Sequence, residues 1–114
     1  EDALNLARAD LAEAEGAAAA ALAAVDLAIE DLAPAEAQTD LRRQALERQI
    51  DIDAQGAGSP QAVETAELAV SASEQAVLSR KQALASARER VDQTAVAVTR
   101  ARVALARVTA TAVW

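Results

Sequence analysis

Apolar residues recur every seven positions along two long runs of this chain. The first run carries Leu4, Leu11, Ala18, Val25, Leu32, Thr39 and Leu46, with a companion row three residues on: Ala7, Ala14, Ala21, Ala28, Ala35, Arg42 and Gln49. The second carries Val63, Val70, Val77, Leu84, Val91, Val98 and Leu105, with Ala112 next in phase, and the companion row Ala66, Ser73, Arg80, Ala87, Thr94, Ala101 and Val108. Large aliphatics at one core position and mostly small residues at the other make a heptad seam along which two helices approach closely. Between the runs stands Gln55-Gly56-Ala57-Gly58-Ser59-Pro60. Glycine takes the left-handed conformation that ends a helix, and Ser followed by Pro suits the cap and first position of a new one. The pattern predicts an all-α fold: a helix over about residues 2–54, a turn over 55–60, and a second helix over about 60–109. A connection this short makes them antiparallel, a long two-helix coiled-coil hairpin. Each arm has roughly 54 residues and, at about 1.5 Å per residue, reaches about 80 Å.

Three features depart from this regularity. Pro34 removes a backbone donor inside the first helix, which predicts a kink near Glu30 to Ala33; the heptad phase continues unchanged to Leu46, arguing for one bent helix. The run Thr109-Ala110-Thr111-Ala112-Val113-Trp114 is rich in β-branched residues and predicts fraying, or departure toward a strand. Leu6, Leu27 and Leu41 share one outward heptad position, and Leu68, Val96 and Val103 share another. Such rows suggest lateral contact with neighbouring copies, with incidental exposure as the alternative.

Composition narrows the function classes. The 114 residues suit one domain, with a single aromatic, Trp114, and much alanine, a strong helix former that cannot build a thick globular core. With no cysteine and no histidine, disulfides, thiolate or imidazole metal sites and nucleophile–histidine pairs are excluded. Carboxylate pairs such as Asp51 and Asp53, or Glu13 and Glu15, fall on different helix faces. No catalytic residue, metal site or cofactor is expected, and the protein is not expected to be an enzyme. The net charge of −7 argues against nucleic acid as partner. The apolar stretch from Gly16 to Val25 is too short to span a membrane and follows no basic segment. From Glu1 to Glu36 nine acidic residues accompany Arg8 alone; from Arg80 to Arg107 seven basic residues accompany Glu89 and Asp92. Side by side in a hairpin, these segments are complementary and orient the arms, while packing supplies stability.

Two alanine-rich heptad helices mirrored about a short Gly-Ser turn resemble the α-helical hairpin of the membrane fusion proteins. These are the periplasmic adaptor subunits of tripartite efflux pumps and type I secretion systems. That family carries a tip motif of Arg, Leu four residues on, and Ser seven further along; Arg48, Ile52 and Ser59 stand at this spacing, with Ile in place of Leu. The resemblance implies a non-catalytic adaptor in the periplasm or cell envelope. Its tip would dock onto an outer-membrane channel protein, with Arg48 offering a hydrogen-bonding fork, Ile52 an apolar contact and Ser59 a small polar one. It further implies coupling to an inner-membrane transporter through lipoyl-like and β-barrel domains, which these residues do not include. The abrupt start in helical sequence at Glu1-Asp2-Ala3-Leu4 agrees with a segment of something larger.

Each tip residue also has a plain structural reading: Ser59 caps a helix, Arg48 pairs with Asp51, and Ile52 closes the seam. A spacer inside an unrelated coiled-coil protein is therefore the main alternative. A free-standing secreted hairpin of the WXG type would place Trp-x-Gly in its turn, which this turn lacks. A helix lying on a membrane would need basic and aromatic residues around its apolar face.

Overall fold

The computed structural model describes the backbone of residues 1–113 and the side chains of residues 1–111. The fold is all-α, a hairpin of two antiparallel helices, α1 (Asp2–Ala54) and α2 (Pro60–Val113). α1 is a single helix through Pro34. The ring removes the donor that would bond the Glu30 carbonyl, but Pro34 lies on the exposed side, where water can take that role. α2 continues to Val113, past the fraying expected after Thr109. In this last stretch Thr109 donates to the Leu105 carbonyl and Thr111 to that of Arg107, both at 2.9 Å. A β-branched hydroxyl that bonds one turn back is accommodated in a helix. Trp114, where departure toward a strand was expected, lies outside the described residues.

The chain forms two compact units. In the first, Glu1–Leu27 pairs with Ala85–Trp114; Ala7, Ala21 and Val98 are buried there, and Leu4, Leu11, Val91 and Leu105 are partly buried. All of these belong to the heptad rows. Among the described residues the complementary charges yield one ion pair between the arms of this unit, Arg102 to Glu15 at 3.9 Å, with both side chains more than half exposed. Such an exposed pair contributes about 0–1 kcal/mol. In the outermost helical turns, the only charge among the described residues that the helix dipole favours is Asp2.

The second unit, Ala28–Leu84, contains the turn. Its buried residues are Thr39, Val70 and Leu84. Thr39 is only 3% exposed and donates to the Ala35 carbonyl at 3.0 Å, so its hydroxyl is satisfied within its own helix. Arg43 bridges the arms to Glu74 at 3.6 Å and also meets Asp40 at 3.6 Å. Within each unit the seam is one layer of side chains deep, and no large side chain is fully enclosed among the described residues.

Candidate functional site

The turn is built from two capping motifs placed back to back. Gly56 adopts φ +79°, the left-handed conformation, and donates to the Asp53 carbonyl at 3.0 Å. Ala57 donates to the Ile52 carbonyl at 3.1 Å. Together these form a Schellman motif, which satisfies the carbonyls that α1 leaves free at its end. Ser59 then caps α2: its hydroxyl accepts from the Ala62 N–H at 3.2 Å, and its carbonyl accepts from Ala62 and Val63. Pro60 takes the first helical position, where no donor is needed.

Gly58 has a different role from Gly56. A Cβ at Gly58 would lie 3.0 Å from Ile52 Cγ2, 3.1 Å from the Asp53 nitrogen and 3.2 Å from the Asp53 Cα. The chain therefore folds back directly onto the last turn of α1, and Ile52 is held against the glycine. Ile52 stays 39% exposed. Arg48, one turn earlier and so on the same side of α1, is exposed and makes no ion pair among the described residues, with Asp51 included. Ser59 is exposed as well, although its hydroxyl is committed to the cap. Arg48, Ile52 and Ser59 thus flank one turn, with Ile52 tied to it by Gly58.

Ile50, 47% exposed, adds apolar surface near the turn that heptad reasoning passed over. Its signal was available: it lies off both seam rows of α1. The carboxylates Asp51, Asp53, Glu13 and Glu15 are all exposed. Among the described residues no group of three or more potential metal ligands gathers, and no helix is long and apolar enough to cross a membrane. No protein-family model, curated protein or solved structure matches the chain.

Proposed function

We propose that the hairpin is a non-catalytic docking element whose turn engages a partner, in the manner of the adaptor subunits of tripartite efflux pumps and type I secretion systems. The observation that carries this reading is the pinning of Ile52. A large aliphatic left part-exposed at a tightly capped turn offers an apolar contact at little entropic cost of binding, and an unpaired arginine one turn away adds a hydrogen-bonding group. In this reading the partner at the turn is an outer-membrane channel protein, the setting is the periplasm, and an inner-membrane transporter is reached through other domains. The outward rows of Leu6, Leu27 and Leu41 and of Leu68, Val96 and Val103 then supply lateral contact between copies in a ring.

Arg48→Asp and Ile52→Asp in the full-length parent test the proposal. Both residues are exposed, so helicity by circular dichroism is expected to be unchanged. Transport and crosslinking to the channel are expected to fail, because reversing a charge in a buried joint costs on the order of 2–5 kcal/mol. Undiminished transport in the double variant would leave the hairpin as a coiled-coil spacer.

A further inference from the structure

Arg42 and Arg80 are the only charged residues in the four heptad rows, and they are also the only described members of those rows that are exposed. Every other described row position is buried or partly buried. Both arginines line the same open groove in the turn-containing unit, a space of about 450 Å³ beside the seam. Its floor is small, with Ala35, Ala69, Ala72 and Ser73 among its lining. Neither arginine makes an ion pair among the described residues, although Asp31 lies at the same groove. Nor does either have an acidic residue three or four positions away on its own helix.

The two side chains border one space. Helical side chains lean toward the N-terminus of their own helix. The Arg43–Glu74 bridge sets the antiparallel register, and it places Arg80 level with a point on α1 about one to two turns before Arg42. Arg42 therefore leans toward that point, and Arg80 leans back along α2 toward Arg42. Two guanidinium groups beside one space raise its positive potential, and a carboxylate placed between them accepts hydrogen bonds from both.

We infer that this groove is a docking site for a partner α-helix that presents one Glu or Asp side chain to Arg42 and Arg80. The small floor lets a helix backbone settle close to the seam, and the unpaired positive pair supplies the charge to which the occupant answers. Asp31 at the same groove repels an extended polyanion and so disfavours nucleic acid. The site is independent of the turn and does not require the docking role proposed for Arg48 and Ile52.

The test uses the whole chain labelled with 15N, observing the arginine Nε–H resonances. The probe is a synthetic helical peptide with alanine and leucine on its seam and one central glutamate; a second peptide carries glutamine there, and inorganic phosphate serves as a third ligand. The Glu peptide is expected to shift Arg42 and Arg80 together and saturably, leaving Arg88 and Arg90 in place. The Gln peptide, and the variants R42Q and R80Q, are expected to bind about tenfold or more weakly, as for a lost charge-assisted hydrogen bond. Equal affinity for the two peptides, or shifts that never saturate, would overturn the inference. So would phosphate binding as tightly as the Glu peptide, which would indicate a small-anion site. Shifts of both resonances on concentrating the protein alone would place a second copy in the groove and overturn the assignment to another partner. Both positions are exposed, and unchanged circular dichroism of R42Q and R80Q separates lost binding from lost folding.

Discussion

Gly58→Ala isolates what the turn does for the chain. The added methyl would meet Ile52 Cγ2 at 3.0 Å and, more consequentially, the backbone of Asp53 at 3.1 and 3.2 Å. A side-chain methyl can rotate aside, but the nitrogen and Cα of the last helical turn move only by disturbing the bonds Gly56 N–H to Asp53 and Ala57 N–H to Ile52. Overpacking of this kind costs about 1–3 kcal/mol. Gly56→Ala is the reference: nothing lies within 4 Å of where its methyl would stand, so its cost is the left-handed backbone alone, about 1 kcal/mol. Urea denaturation followed by far-UV circular dichroism measures both, alone and in an Ile52→Ala background. Removing the Ile52 side chain is expected to recover part of the Gly58→Ala cost, because the Asp53 contacts remain. Gly56→Ala is expected to add to Ile52→Ala within about 0.5 kcal/mol. A Gly58→Ala variant as stable as the parent, or fully rescued by Ile52→Ala, would refute the backbone argument.

Other substitutions have definite directions. Ser59→Ala removes the acceptor for the Ala62 N–H and is expected to cost about 1 kcal/mol in the same denaturation measurement. Gly16→Ala, in mid-helix with nothing within 4 Å, is expected to stabilise by about 0.5–1 kcal/mol. Thr39→Leu places a large aliphatic in a row whose other members, Ala18 apart, are large aliphatics, beside an open groove of about 340 Å³; the melting temperature is expected to rise. A fall would mean that the close approach of the helices at Thr39 tolerates no added volume.

The heptad rows were legible because leucine and valine at every seventh residue leave a helix only one way to face its partner. With Arg42 and Arg80 as the exceptions, the described residues of those rows are the ones withdrawn from water, joined only by Ala45, Ala62 and Ala69 beside them. The turn was legible too, since Gly-x-Gly-Ser-Pro contains a stop and a start. The close approach of Gly58 to Asp53 was not, because it depends on how the chain returns over α1, which local residue preferences do not encode. α2 runs to Val113, a few residues beyond the expected end near Thr109, and the hydroxyls of Thr109 and Thr111 find acceptors within the helix. Charge asymmetry gave the sign of attraction but not the contacts: Glu15 and Arg102 meet, while the other charges of that unit stay in solvent. The unusual standing of Arg42 and Arg80 was written in the rows themselves, yet only the burial pattern set them apart.

The double cap at the turn also bears on the order in which the molecule assembles. Its hydrogen bonds join residues no more than five apart, Ala57 to Ile52 and Ala62 to Ser59 among them, so they form with little loop-closure entropy. Each seam layer farther from Gly56 encloses a longer loop unless the layers nearer the turn have already closed. A zipper that starts at the turn and runs outward is the fastest route. Changes at Gly58 or Ser59 are then expected to slow folding, whereas Leu11→Ala or Leu105→Ala is expected mainly to hasten unfolding. The six residues that reverse the chain would set its folding rate, and the seam remote from them its lifetime.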